Sequence, residues 1–118
     1  RVSAILREDV AAACAAVLVS PGHDGATYEL TGRESFTLAE AAEAMSRPDK
    51  PVRFEDETDD QAWTSRLQYG APEFEMRGWI SSYQAIRDGS LQSVSQHVAE
   101  LTGRQPATLR EYLDRRSR

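Results

Sequence analysis

The amino-acid sequence predicts an α/β domain that starts with alternating helices and two short strands and ends in helices alone. Alternating apolar and polar residues at 26–31 and 52–55 are typical of strands. Helical spacing of apolar residues and two capping boxes mark the segments between and after them. From residue 59 onward the pattern is helical throughout. We therefore expect α/β elements over residues 1–58 and a helical subdomain over residues 59–118, together forming one compact unit.

The first half of the chain begins with an apolar segment, residues 1–6, which is either a strand or a buried segment that leads into the first helix. A helix and a strand are predicted after it. Asp9 is a favoured N-cap, and the Ala-rich residues that follow it are strong helix formers up to the breakers at residues 20–22. Residues 26–31 form the first predicted strand. We expect Cys14 to be a small buried hydrophobe, because one apolar stripe of this helix contains Val10, Cys14, Val17 and Leu18.

Capping signals place the remaining helices. Thr37 with Glu40 is a capping box that predicts a helix to about Arg47, and residues 52–55 form the second predicted strand. Acidic residues after Thr58 favour a helix start there, because negative charge complements the helix dipole. The segment 73–88 predicts a long helix that ends at a glycine, and Thr108 with Glu111 begins the last helix.

Composition excludes several classes of protein. The chain has 118 residues, 40% of them hydrophobic and 28% charged, and a net charge of −5, which predicts a soluble globular domain and disfavours a nucleic-acid binder. No apolar run reaches the roughly 20 residues of a membrane-spanning helix. Cys14 is the only cysteine, so no internal disulfide forms. We expect a cytoplasmic protein with neither nucleic-acid nor membrane partners.

The usual catalytic and ligand-binding constellations are missing from the sequence. The glycine turn at residues 22–25 precedes a predicted strand, whereas a phosphate-binding turn follows a strand and opens a helix. His23 and His97 have no partner at metal-ligand spacing. The acidic run at residues 55–60 lacks the glycine turn and spaced acids of a calcium loop. We therefore predict no catalytic residue, no cofactor-binding residue and no metal site within these residues.

A group of aromatic and methionine side chains after residue 60 allows two interpretations. Such stripes at helical spacing are more often part of the core, but pockets for planar ligands are also lined by residues of this kind. Both interpretations stay open from the sequence. The candidate substrate-pocket residues are Trp63, Phe74, Met76, Trp79 and Tyr83.

The ordered set of motifs resembles the C-terminal part of the NmrA-like atypical short-chain dehydrogenases/reductases, which are NAD(P)-binding proteins. The resemblance covers nearly the whole chain. It rests on four groups of residues, namely Asp9-Val10-Ala11-Ala12; Pro21-Gly22-His23, Gly25, Tyr28 and Leu30-Thr31-Gly32; Thr37-Leu38, Glu40 and Ala42; and Gly78-Trp79, Tyr83, Ala85-Ile86 and Gly89. Further matches lie at Ser95, Val98, Leu101-Thr102-Gly103-Arg104, Pro106 and Thr108-Leu109. The glycine-rich dinucleotide fingerprint of the family is absent, and so is the Tyr-x-x-x-Lys pair, since Arg87 stands four residues after Tyr83.

The resemblance implies the C-terminal part of a Rossmann-like fold, with two short strands and a mainly helical substrate-side subdomain. It implies that the full-length protein is an NAD(P)-dependent oxidoreductase with a carbonyl or quinone acceptor, and that this segment alone binds no cofactor and is inactive. The implied partners are its own N-terminal nucleotide-binding half or a second copy, and a small-molecule substrate. The alternatives are a non-catalytic dinucleotide-sensing regulator and a free-standing dimerising interaction module.

Overall fold

The computed structural model describes residues 1–117, which contain six α-helices and one short 3₁₀ helix. Arg118, the last residue of the predicted helical subdomain, lies outside the described residues. The helices are α1 (Arg7–Val19), α2 (Leu38–Met45), α3 (Asp59–Arg66), the 3₁₀ helix η1 (Leu67–Tyr69), α4 (Glu73–Asp88), α5 (His97–Thr102) and α6 (Leu109–Arg116).

Both predicted capping boxes are confirmed. The Thr37 backbone N–H donates to Glu40 Oε2 at 2.9 Å, and the Glu40 N–H donates to Thr37 Oγ1 at 3.0 Å. Thr108 and Glu111 make the same reciprocal bonds at the start of α6. A third box, Thr58 with a glutamine at the third helical position, begins α3. Each box satisfies two backbone donors that the first helical turn leaves without partners.

The prediction that Asp9 caps α1 is wrong. The helix begins at Arg7, and its N-cap is Leu6, which makes no side-chain capping bond. Asp9 lies inside the first turn, is only 3% exposed, and accepts a hydrogen bond from the Ala107 N–H at 2.9 Å. Its other oxygen lies 3.3 Å from Arg104 Nη1. The carboxylate therefore ties α1 to the loop before α6, a distant contact that no local pattern shows.

The predicted interior stripe of α1 is also wrong. Cys14 is exposed and Leu18 is 84% exposed, whereas Ala13 is fully buried on the side that packs against α5. Residues 10–19 contain no charged side chain, so periodicity alone cannot identify the buried side. The alanines let α5 approach closely. Val10 and Val17 are half-buried, and Leu18 and Val19 are left exposed.

The two predicted strands are not confirmed, because residues 1–117 contain isolated β-bridges and no strand ladder. The bridges join Val2 with Phe36 and Arg47 with Lys50. Residues 26–31 are held instead by side chains near α5. The Glu29 N–H donates to His97 Nδ1, and the Ser95 N–H donates to the Thr31 hydroxyl oxygen, both at 2.9 Å.

The N-terminal segment before α1 connects the two ends of the fold. Val2 exchanges backbone hydrogen bonds with Phe36, and the Ser3 N–H donates to the Leu91 carbonyl at 2.8 Å. The Gly32 N–H donates to the Ser3 carbonyl at 3.1 Å. The loop before α2 and the loop after α4 are thereby fixed against one short segment. Helices of the two predicted subdomains also pack on each other, α1 on α5 and α2 on α6, while the boundary at residue 58 stays a prediction.

The buried core is small for a chain of this length. Its apolar members are Ala13, Ala41, Ala42, Ala62, Met76, Ile80 and Val98. The accessible surface is 8622 Å², whereas a folded monomer of this mass exposes about 6,400 Å². The radius of gyration is 17.0 Å, against about 13.5 Å for a compact domain of this length. The fold is open, and much apolar surface is uncovered.

Candidate functional site

Helices α3 and α4 pack against each other and carry the candidate site between them. η1 follows α3 directly, and Gly70 then adopts a left-handed backbone conformation, φ +63°, which lets the chain reverse into α4. Ala62 on α3 and Ile80 on α4 are both buried. The sequence thus supplies a small and a branched side chain as the floor, and it leaves longer side chains on the rim.

Two concave regions lie on this face. The first is a cavity of about 490 Å³ between α2, residues 52–59, α3 and α4. The second is a more open groove, which we call the aromatic groove, between residues 2–4, η1 and α4. The two regions share one wall, formed by Leu38, Glu57, Arg66, Tyr83 and Ile86.

The aromatic groove has a wall of three rings. Trp79 and Tyr83 are four residues apart on α4, so they lie on the same helix face. The Tyr69 ring of η1 meets the Trp79 ring edge to face, with centroids 6.1 Å apart and an interplanar angle of 89°. All three side chains are exposed. A planar ligand that enters the groove would replace water on these ring faces.

An ion pair stands beside the rings in the shared wall. Arg66 Nη1 lies 3.2 Å from Glu57 Oε2 and also donates to the Ala62 carbonyl at 3.1 Å. The Arg66 guanidinium carbon lies 5.3 Å from the centroid of the Tyr83 ring, a cation–π distance. The Arg66 side chain is 19% exposed. This charge is therefore both fixed in position and partly withdrawn from water.

Within the run at residues 55–60, three acids form ion pairs and one residue caps α3; the acids are Asp56, Glu57 and Asp59, and the cap is Thr58. Arg87 Nη2 lies 3.4 Å from Asp56, and its Nη1 lies 3.8 Å from Asp59. Asp59 also accepts a hydrogen bond from Gln84 at 2.9 Å. The part of the chain that the structure describes contains no group of three or more His, Cys, Asp or Glu side chains arranged to hold a metal ion.

The structure does not bring the five predicted pocket residues together. Trp79 and Tyr83 line the aromatic groove. Met76 is 4% exposed and belongs to the core, and Phe74 is 73% exposed at the start of α4. Trp63 is half-buried on α3, and it lines neither of the two concave regions. The assignment of these five residues to a substrate pocket stays a prediction.

Sequence reasoning missed Glu57 and Arg66. Glu57 is one of several neighbouring acids in the run at residues 55–60, and Arg66 is a single arginine at the end of α3. The contact that makes them notable joins α3 to Tyr83, which lies 17 residues further along the chain. The spacing of residues in the sequence does not indicate that contact. Glu57 and Arg66 become candidates only because the structure places them in an open groove beside aromatic rings.

The glycine turn at residues 22–25 does not fit a pyrophosphate-binding turn. Gly22 and Gly25 have positive φ angles of +90° and +74°, and they follow the C-terminal end of α1. A pyrophosphate is bound by backbone N–H groups at the N-terminal end of a helix.

No helix among residues 1–117 has the length and apolar character that a membrane crossing requires.

Comparisons of the sequence identify reductases. No family model matches the chain. The chain is 36% identical over 106 residues to a (4-alkanoyl-5-oxo-2,5-dihydrofuran-3-yl)methyl phosphate reductase of Streptomyces griseus, covering 88% of this chain and 37% of that protein. It is 32% identical over 113 residues to an NAD(P)H azoreductase of Xenophilus azovorans, covering 95% and 40%. The chain thus spans about two fifths of the length of these curated relatives.

Comparisons of the fold with solved structures also identify reductases. The fold matches an NADPH-dependent quinone oxidoreductase from Escherichia coli with a TM-score of 0.89 and 25% identity, over 99% of this chain and 43% of the other. It matches a Citrobacter triphenylmethane reductase complexed with NADP(H) with a TM-score of 0.84 and 26% identity, over 97% and 40%. The likeness that the motifs predicted is confirmed. The relatives that this chain resembles are NmrA-like atypical short-chain dehydrogenases/reductases, and the chain matches about two fifths of their length.

Proposed function

We propose that this chain forms the acceptor side of an NAD(P)H-dependent reductase and that a planar acceptor of the quinone type lies against Trp79 and Tyr83. The observation that carries the proposal is the open aromatic groove, in which the ring faces are exposed rather than packed into the core. The names of the relatives point the same way, since they include quinone, azo and triphenylmethane reductases. Acceptors of these kinds contain flat conjugated rings.

In this proposal the dinucleotide is bound outside these residues, in an N-terminal nucleotide-binding half. The glycine turn of this chain does not fit a pyrophosphate, and the relatives are more than twice as long as the aligned region. The role of the chain is then to bind and orient the acceptor and to keep water from its ring. We infer no acid or base for the reaction from these residues.

Kinetics of the protein that contains this chain test the proposal. NADPH oxidation is measured with a panel of quinones, first for the unchanged protein and then for Trp79→Ala and Tyr83→Ala. Loss of a stacking surface weakens acceptor binding, so we expect KM for the quinone to rise about 5- to 30-fold for each variant, about 1–2 kcal/mol. KM for NADPH stays unchanged.

Phe74→Ala is the matched control, because Phe74 is an exposed aromatic residue on the same helix and lines neither concave region. We expect it to leave both KM values unchanged. Equal KM for quinone in all three variants, or no quinone-dependent oxidation of NADPH at all, would overturn the proposed function.

A further inference from the structure

We propose that the Glu57–Arg66 ion pair sets the charge preference of the aromatic groove, and that Arg66 is a specificity-determining residue that selects planar ligands with an oxygen or anionic group beside the ring. This inference rests on the proposed function for its biological meaning, because it specifies which acceptors the groove prefers. Its test does not require turnover.

The charges of the groove are few and balanced. Among the described residues that line the groove, only Glu57 and Arg66 are charged. The remaining wall is apolar, aromatic or neutral and polar. A bound ligand therefore meets one positive and one negative group of the protein, and the placement of these two groups decides which ligand charge is favoured.

The positive group is the one placed against the rings. The guanidinium of Arg66 lies over Tyr83, so a ligand ring stacked on the same aromatic wall has this cation as its neighbour. Glu57 is committed elsewhere: its Oε2 accepts from Arg66 and also from the Ser65 hydroxyl, both at 3.2 Å. The carboxylate thus holds the cation in place.

Arg66 also has donors to spare. A guanidinium carries five N–H groups, and the side-chain hydrogen bonds of Arg66 within residues 1–117 are all made by Nη1, to Glu57, Ser65 and Ala62. Nε and Nη2 keep their N–H groups for a ligand oxygen. A charge-assisted bond to a carbonyl, sulfonate or phosphate oxygen is about twice as strong as a neutral one.

Partial burial strengthens this preference. The Arg66 side chain is 19% exposed and that of Glu57 is 34% exposed, so water screens the pair less than it screens an open surface pair. Removal of either member leaves the other charge facing the groove alone. The two removals should then change ligand preference in opposite directions, and that reversal is the signature to look for.

The test uses two planar probes that differ in charge, anthraquinone-2-sulfonate and an anthraquinone with a trimethylammonium group at the same position. Binding is followed by quenching of tryptophan fluorescence, since Trp79 lines the groove. In Arg66→Met we expect the Kd of the anionic probe to rise roughly tenfold and that of the cationic probe to fall. In Glu57→Gln we expect the cationic probe to weaken and the anionic probe to keep or gain affinity.

Arg77→Met and Glu75→Gln are the matched controls, because both residues are exposed on α4 and line neither concave region. We expect neither to change the ratio of the two Kd values. Arg66→Lys retains the positive charge and should retain the preference with weaker binding. If Arg66→Met does not fold, Glu57→Gln still tests the inference, because it removes the other charge of the pair. Circular dichroism melts establish folding for every variant.

A ratio of Kd values that stays the same in Arg66→Met and in Glu57→Gln overturns the inference. So does a change of equal size and sign for both probes, which would mean a general loss of groove shape. Charge-selective binding without any NADPH oxidation would support the inference and contradict the proposed function. Quinone turnover that ignores ligand charge would do the reverse.

Discussion

Gly32 lies where two backbone segments cross at short range. A Cβ built on this residue would overlap the carbonyl oxygen of Ala4 and would lie 3.2 Å from the carbonyl carbon. Gly32 is buried and donates to the Ser3 carbonyl, so neither segment can move aside freely. We expect Gly32→Ala to lower the free energy of unfolding by about 1–3 kcal/mol, the usual cost of overpacking, as measured by urea denaturation.

Gly78→Ala is the control for Gly32→Ala. Gly78 lies inside α4, and nothing comes within 4 Å of a Cβ built there. Because alanine favours the helix more than glycine does, we expect this variant to be more stable by about 0.5–1 kcal/mol. The two glycine-to-alanine substitutions should thus change the free energy of unfolding in opposite directions. Equal effects would contradict the close contact at Gly32.

Asp9 supplies a second prediction about a single side chain. Its carboxylate accepts the Ala107 N–H and pairs with Arg104. Asp9→Ala leaves a part-buried N–H without its acceptor, so we expect a loss of about 1–3 kcal/mol in the free energy of unfolding. Asp9→Asn keeps an acceptor for Ala107 and should lose less. Glu8→Ala, one position away and exposed, should change stability by less than about 0.5 kcal/mol.

The capping boxes make helix stability depend on pH. The hydrogen bond from the Thr108 backbone N–H lowers the pKa of Glu111 below its ordinary value of 4.5, with Arg33 adding to the effect. The Thr37 backbone N–H and then Arg1 lower the pKa of Glu40 in the same way. A carboxyl whose pKa is lower in the folded chain stabilises the fold fully above its unfolded pKa. That contribution is lost as the pH falls through the folded pKa.

We therefore expect Glu40→Gln with Glu111→Gln to lose less stability than the unchanged chain between pH 7 and pH 3. Glutamine at the third helical position accepts the same bond without titrating, as it already does at the start of α3. The measurement is the urea midpoint at the two pH values. An equal drop in midpoint for both proteins would contradict the role assigned to these carboxyls.

Helix boundaries were predictable where their signals are local. The long helix α4 begins and ends at the predicted residues, and its end depends on Gly89, whose φ of +87° is easy for glycine alone. The boxes at α2 and α6 depend on residues three apart in sequence. The strands were not predictable in this way, because a strand needs a partner to pair with, and alternation describes only one side of that pairing.

The burial of α1 and the charged wall of the groove needed the whole fold. Ala13 is buried because α5 packs there, and α5 comes from the far end of the chain. Arg66 matters because Tyr83 of another helix lies beneath it. The sequence placed Trp79 and Tyr83 on one helix face correctly, since they belong to one helix. Contacts between elements depend on how the helices pack, and local sequence patterns do not show that packing.

The open shape of the molecule leaves an area that another surface can cover. The chain exposes about 2,200 Å² more than a compact monomer of its mass, which exceeds the roughly 800 Å² that one partner buries in a standard interface. Part of this additional exposed area lies on a face of α1 that carries no charged side chain. That face is formed by the exposed residues Ala11, Cys14, Ala15, Leu18 and Val19.

When no nucleotide-binding half is present, we expect this face of α1 to bind a second copy of the chain. Leu18 and Val19 are each 84% exposed, and apolar patches of several hundred Å² promote association. Leu18→Lys puts a charge in the middle of the face, so the apparent mass in sedimentation equilibrium should shift toward the monomer. Leu67→Lys is the control, because Leu67 is 65% exposed on η1 instead. A reductant keeps Cys14 from forming a disulfide between copies. A monomeric unchanged chain at 100 μM, or equal shifts in both variants, would show that the face of α1 is not an interface.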